Sequence, residues 1–322
     1  MTDISFYSSG ITMAPMAGVT DTAFRRICRM LGATCLVTEM VTAAGLSRRS
    51  VKSKKMLVFH PEEEPIGVQL FGAKPDDFAR SAALVSPLGF SFIDINAGCP
   101  VKRVLKSGSG SALLSDIPRL MEVIRSTAAN TDLPLTVKIR LGIDPENPVP
   151  VEIGAMAAEA GASAIAVHGR YRTDFFSGEV RLEEMRAIGD ASPIPMVANG
   201  DSTSVEAALT MKEMTGASGL LIGRGAWGNP WIFRGLAGGN PRPEPGELHR
   251  VMTLQLSMMM ETIREPQVYH IFRGHMVQYF RGFRGAAEFR KRAVAAETFQ
   301  EIRQICIEAD EAMHREESVH ED

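Results

Sequence analysis

Apolar residues in this chain gather into eight short, nearly continuous runs over its first 226 positions: 11–18, 34–40, 65–72, 92–97, 135–142, 164–170, 195–201 and 219–226. Runs of this length without alternation are what strands buried on both faces look like. Several stretches between them carry apolar residues at helical spacing instead: 21–31, 76–85, 117–129, 151–160 and 205–214. The second run is followed by a polar, basic segment with Arg48, Arg49, Lys52, Lys54 and Lys55, which reads as a loop. Eight strand–helix units in about this length predict a TIM (β/α)8 barrel, typically ~250 residues. The competing architecture, a doubly wound open sheet, lacks the expected GxGxxG after the first strand. Residues 235–246, GLAGGNPRPEPG, form a Gly/Pro-rich linker. Beyond it the pattern is helical only, over 248–264, 269–280 and 286–314. The expected class is therefore α/β, a barrel domain over 1–240 with a C-terminal all-helical domain over 241–322.

Composition narrows the class. The chain is 45% hydrophobic, ample for a large core, and its net charge of −3 offers no global field for a polyanion. A polyanion site must be a local patch, and the helical region has one: Arg264, Arg273, Arg281, Arg284, Arg290, Lys291 and Arg292 against Glu265 and Glu288, followed by an acidic tail from Glu297 to Asp322. Four scattered cysteines give neither a disulfide framework nor a metal pattern, so no metal is expected. The N-terminus lacks the features of a signal peptide, and no apolar stretch approaches the ~20 residues of a membrane span. A cytoplasmic protein with no membrane partner is expected.

Barrel chemistry sits where strands end. The run FIDINAGCP, residues 92–100, ends in a Gly-Cys-Pro turn that puts Cys99 just past a buried strand, with Asn96 before it and Lys102 and Arg103 after it. A lone cysteine is ordinarily a small buried hydrophobe; this one has polar and cationic neighbours that can tune a thiol. In TVKIR, Lys138 shares a face with Arg140, and two cations on one face of a core strand require an anion or dense hydrogen bonding. The endings of the seventh and eighth runs, ANGD and IGRGAWGNP, are glycine-rich, and in barrels these two loops commonly grip a phosphate. His168 ends the sixth run. A phosphate anchor, a cation, the Gln69 amide and a thiol fit a phosphate-bearing planar cofactor, with the cysteine as acid or nucleophile. These parts alone do not choose between a flavin and another phosphorylated ligand.

The motifs MAPMAGVTD, INAGCPVKRV, VKIRLG, VHGR, VANGD and LIGRGAWGNPWIF, in this order, resemble the tRNA-dihydrouridine synthases, the bacterial B-type branch most of all. The similarity runs from about residue 11 into the helical tail. The resemblance implies bound FMN, NADPH as reductant, and reduction of the C5–C6 double bond of a D-loop uridine in tRNA to 5,6-dihydrouridine, with hydride delivered to C6. It assigns Cys99 as the proton donor to C5. It places Pro15, Met16 and Ala17 along the flavin, Gln69, Lys138 and His168 at its ring, and Asn199, Gly200, Asp201, Gly223 and Arg224 at its phosphate. Asn96 and Arg140 fall near the flavin or the uracil, and Lys102 and Arg103 near the tRNA backbone. It implies a helical domain that clasps tRNA, and a monomer is expected. Two departures stand out. Tyr171 follows His168-Gly169-Arg170 where the family commonly has Thr, and Gly274-His275 replaces a Lys-His pair, with Arg273 adjacent as a substitute contact. Two rival readings remain: an FMN barrel acting on a free pyrimidine or small enone, and a barrel kept as an RNA-binding module. The first would not need the basic helical domain; the second predicts loss of Cys99 or Lys138, and both are present.

Overall fold

The computed structural model describes residues 4–315. Its eight barrel strands are Ile11–Met13, Leu36–Val37, Ile66–Phe71, Phe92–Ala97, Leu135–Arg140, Ala164–His168, Met196–Asn199 and Gly219–Ile222. All pairings between neighbours are parallel. The ring closes where Ile11, Thr12 and Met13 pair with Leu220, Leu221 and Ile222, and where Thr12 bridges to Cys35. The first strand stops earlier than its apolar run because Pro15 has no N–H to offer a ladder.

Side chains alternate between two cores. On the fourth strand Ile93, Ile95 and Ala97 pack outward against the helices, in the large core between sheet and helix layer. Phe92 points inward and meets Tyr7 at 5.0 Å between ring centroids. The N-terminal helix Ser5–Ser8 thus plugs the bottom of the barrel. Gly67 has no Cβ because one would lie 2.3 Å from the Phe92 ring. Above Phe92 the interior turns polar, with Asp94, Thr136 and Gln69 almost fully buried.

Helices fill the connections, including Leu182–Asp190 before the seventh strand. The basic segment expected as a loop contains a short helix, Val51–Lys55. Among the described residues the helical region has four helices, Glu247–Met260, Gln267–Tyr279, Ala286–Ala295 and Phe299–Arg315. The periodic stretch 286–314 is therefore two helices, broken at Ala296, which is extended. A capping box makes the break: Glu301 accepts from the Thr298 N–H while the Thr298 hydroxyl accepts from the Glu301 N–H. The acidic tail beyond Arg315 lies outside the described residues. A second apolar core joins these helices to the barrel through Ala23, Ile27 and Trp231. Arg26 bridges the same seam, with Glu62 at 2.9 Å and Glu261 at 3.0 Å.

Candidate active site

The C-terminal ends of the strands open into a cavity of about 440 Å3. Pro15, Met16, Ala17, Gln69, Asn96, Cys99, Lys138, Arg140, His168 and Arg224 all line it. A smaller lobe of about 120 Å3 adjoins it, lined by Asn199, Gly200, Asp201, Gly223 and Arg224. Lys138 and His168 border both. Lys102 and Arg103 do not line it; they are exposed on the helix Lys102–Leu105, which starts just after the cavity wall at Val101.

A buried hydrogen-bond chain leads to the cysteine. Thr136 Oγ1 donates to Asp94 at 2.6 Å, and Gln69 Nε2 donates to the other carboxylate oxygen at 2.7 Å. The carboxylate accepts only, so the Gln69 carbonyl must face Asn96 and takes a bond from its Nδ2 at 2.8 Å. That leaves Asn96 Oδ1 to accept the N–H groups of Gly98 and Cys99, at 3.1 and 3.0 Å. One carboxylate thereby fixes two amides and the turn that carries the thiol. From the far side Ser111 donates to the Cys99 carbonyl through its N–H, at 3.1 Å, and its hydroxyl, at 3.0 Å.

The thiol is held in its acid form. Burial raises its pKa above the ordinary 9.0, and the Val101 N–H, Arg140 and Lys138 only partly offset this. Lys138 donates to Asn199 Oδ1 at 2.8 Å, and Asn199 donates to the Leu221 carbonyl at 2.7 Å. Burial and the neighbouring Arg140 lower Lys138 to about 8. Burial raises Asp94 to about 6, against the opposing Thr136 and Gln69 bonds and Lys138. Burial and four surrounding cations, Lys138, Arg140, Arg170 and Arg224, hold His168 far below its ordinary value, so its imidazole is neutral.

Arg140 is committed to the backbone. It donates to the carbonyls of Gly98 at 2.9 Å, Tyr171 at 2.8 Å and Phe175 at 2.6 Å. The two cations of TVKIR are therefore satisfied by an amide and by carbonyls. Asp201 is likewise occupied: Arg170 grips it through two nitrogens and Arg224 donates at 2.7 Å. The Arg170 bond chiefly lowers its pKa. A carboxylate repels phosphate, so in the lobe Asp201 orients arginines. The N–H groups of Arg224 and Gly225 have no acceptor within the chain among the described residues.

Sequence reasoning passed over several residues. Asp94 and Thr136 point inward, on the faces of Asn96 and Lys138 that alternation picks out, but nothing in the sequence pairs the two with each other. Arg170, the last residue of the sixth run, grips Asp201 without any signal in the sequence for that role. Phe176 and Trp227 line the cavity from loops with no periodic signal. The Phe176 ring lies 5.5 Å from both the Arg140 and Arg224 guanidinium carbons. Phe175 beside it has φ 50°, outside what a non-glycine residue ordinarily adopts. In the helical region Arg273 donates to the Ala296 carbonyl at 2.8 Å, and His275 is buried against Phe24 and Phe272. Arg273, half-buried, is tied to the backbone at the helix break, and His275 faces inward.

The family model for dihydrouridine synthase (Dus) matches residues 12–317, nearly the whole chain. The chain belongs to the dihydrouridine synthase family. It is 41% identical over 286 residues to tRNA-dihydrouridine synthase B of Pseudomonas aeruginosa, covering 87% of this chain and 86% of that protein. It is 39% identical over 288 residues to the protein of the same name from Pseudomonas syringae pv. tomato, covering 88% and 86%. Among solved structures, an old yellow enzyme homologue from Zymomonas mobilis superposes with TM-score 0.52 at 14% identity, over 71% of this chain and 88% of that one. A morphinone reductase mutant in complex with tetrahydroNAD gives TM-score 0.51 at 12% identity, over 74% and 89%. These two share the barrel fold. Among the described residues no helix is long and apolar enough to cross a membrane, and no group of three His, Cys, Asp or Glu side chains could hold a metal.

Proposed function

We propose that this protein reduces the C5–C6 double bond of D-loop uridines in tRNA to 5,6-dihydrouridine, using FMN and NADPH. The observation that carries the reading is Cys99, its backbone N–H and carbonyl pinned by Asn96 and Ser111 and its thiol raised above its ordinary pKa by burial, at the mouth of a cavity whose far end is cationic and amide-lined. FMN fits the two lobes. Its phosphate would take the free N–H groups of Arg224 and Gly225, beside Gly200 and Gly223. Its ring would lie along Pro15, Met16 and Ala17, within reach of Gln69, Lys138 and neutral His168. When bound, the flavin supplies a hydride to C6 of the uracil, after reduction by NADPH.

The chain's own residues do the rest. The target base must leave its stack to reach a cavity inside a barrel mouth. Cys99 gives its proton to C5 as general acid, so hydride and proton together saturate the bond. The thiolate left behind faces Arg140 and Lys138, which stabilise it until solvent returns a proton. Asn96 and Arg140 border the space for the uracil, Arg140 chiefly by shaping the loop of Tyr171 and Phe175. Lys102 and Arg103 meet backbone phosphates, which position RNA without reading its sequence. The barrel over 1–240 carries the chemistry as a monomer, and the helices over 241–322 clasp tRNA through Arg264, Arg281, Arg284 and Lys291, which are exposed.

The test is to purify the protein, record its visible spectrum and follow NADPH oxidation with unmodified tRNA and with free uridine. A yellow protein turning over on tRNA alone supports the reading. Turnover only on a small pyrimidine or enone, or a colourless protein that FMN cannot reconstitute, contradicts it.

A further inference from the structure

Of the carboxylates buried among the described residues, Asp94 differs from the rest. Glu63 lies beside Arg25, Asp77 beside Arg80 and Asp310 beside His249. Asp94 is 1% exposed and has no ion-pair partner among the described residues; hydrogen bonds from Thr136 and Gln69 hold it instead. A buried charge without a counter-charge costs stability. No surface or fold requirement visible in its surroundings offsets that cost, so what the carboxylate does for its neighbours has to.

What it supplies is direction. A carboxylate accepts only, so Thr136 and Gln69 must both donate to it. Thr136 has one proton, and with that given to Asp94 its oxygen accepts from Tyr7, in the helix that plugs the barrel. On the other side Gln69 has one orientation that satisfies Asp94. That orientation fixes Asn96, whose carbonyl then takes the N–H groups of Gly98 and Cys99. Reversing Gln69 would turn its NH2 toward the Asn96 NH2. Asn96 would have to reverse as well, and its Nδ2 would face two N–H donors. With no acceptor at position 94 the two orientations of Gln69 compete, and the Gly-Cys-Pro turn loses its fixed anchor.

We propose that Asp94 is a positioning residue for the reduction: by accepting at Gln69 it sets the direction of the bonds that run through Asn96 to the turn, and so holds the Cys99 thiol where the base is presented. The catalytic half of this rests on the tRNA reading above; the hold on the turn does not. Asp94→Asn should preserve the direction, because its Oδ1 can take the Gln69 bond while its Nδ2 donates to the Thr136 oxygen, whose own proton turns to Tyr7. Asp94→Leu should lose it.

Two rates are measured in the full-length protein as purified. Alkylation by iodoacetamide at pH 8 reads the turn without tRNA; Cys28, Cys35 and Cys306 are buried, so half-buried Cys99 is the thiol the reagent meets first. Reoxidation of the reduced protein by unmodified tRNA reads catalysis. In Asp94→Leu alkylation should be about 10-fold faster, the effect of one unit in a thiol pKa, because a released turn exposes a thiol that burial otherwise keeps in its acid form. Reoxidation should be about 100-fold slower, with KM for tRNA little changed. Asp94→Asn should restore both rates. Ile27→Ala, which weakens packing far from the turn, should leave alkylation unchanged. Flavin absorbance and thermal midpoint report folding. Should Asp94→Leu fail to fold, Asp94→Ala reads the same quantities, since a water in its place donates as well as accepts and sets no direction. Wild-type rates in Asp94→Leu or Asp94→Ala overturn the proposal. So does Asp94→Asn as impaired as Asp94→Leu, which would put charge rather than direction to work, or Ile27→Ala alkylating as fast as Asp94→Leu, which would mark a general loosening. A wild-type protein that leaves tRNA unreduced while the alkylation pattern holds would overturn the tRNA reading and the catalytic role, and uphold the hold on the turn.

Discussion

Cys99 is an acid at neutral pH because its thiol is buried more than its cations can offset. The step that consumes its proton should therefore be level around pH 7, between Asp94 near 6 and Lys138 near 8, and fall on the alkaline side as Lys138 and then the thiol lose their protons. Single-turnover reoxidation of pre-reduced protein by tRNA, followed against pH, checks this; an acidic limb near pH 6 that disappears in a histidine variant would contradict it. Lys138 makes a second prediction. Its folded pKa lies below its unfolded value, so the unfolded chain binds more protons between pH 8 and 10.5, and stability rises with pH across that window. Lys138→Met should then raise the flavin-free protein's Tm at pH 7 by roughly 1.5–3 °C for ~1–2 kcal/mol, while tRNA reduction is lost. Calorimetry at pH 7 and pH 10 measures both, and the gain should shrink at pH 10. At this scale the sequence announced polar groups that line the cavity, since Cys99, Lys138 and Gln69 are unusual types at strand ends. It hid Asp94, whose role depends on which oxygen meets which amide.

The loop that carries the thiol is an element with little tolerance. Gly110 sits at φ 63°, and a Cβ there would lie 2.7 Å from the Cys99 carbonyl and 2.9 Å from Val104. Gly110→Ala should therefore push the Gly-Cys-Pro turn off Asn96, lowering kcat about 100-fold, the scale of a ~1 Å misplacement, with KM for tRNA little changed. Steady-state kinetics decide it, and a variant whose loss is all in KM would contradict the positioning argument. The strands were legible as continuous apolar runs because both their faces are buried, and most helices because a period of 3.6 is strong where one face is buried. The break at Ala296 was missed, although Thr298-x-x-Glu301 marks it, because apolar spacing on both sides masks the cap. The Val51–Lys55 helix was not, because one turn of Lys, Ser and Val carries no apolar stripe.

Barrel and helices share a core, so the molecule should respond as one body. Ile27 belongs to a barrel helix yet is buried with Trp231, Met252 and Phe272. Ile27→Ala should cost about 2–4 kcal/mol and raise KM for tRNA by loosening the helical clasp, with flavin content retained. Thermal unfolding and tRNA kinetics read this; a stability loss with unchanged KM would separate the seam from RNA binding. The seam could not be read from the chain, since Ala23, Arg26 and Ile27 look like ordinary residues of an amphipathic helix. Their partners lie more than 200 positions away, as Glu261 does from Arg26.

The most direct measurement is the reoxidation of pre-reduced protein by unmodified tRNA in Cys99→Ala beside the wild type, with dihydrouridine quantified in the product. The account predicts at least a 100-fold slower reoxidation, within the 10²–10⁴ span of general acid catalysis, and normal reduction by NADPH. Reoxidation at the wild-type rate with dihydrouridine formed would show that the proton comes from elsewhere.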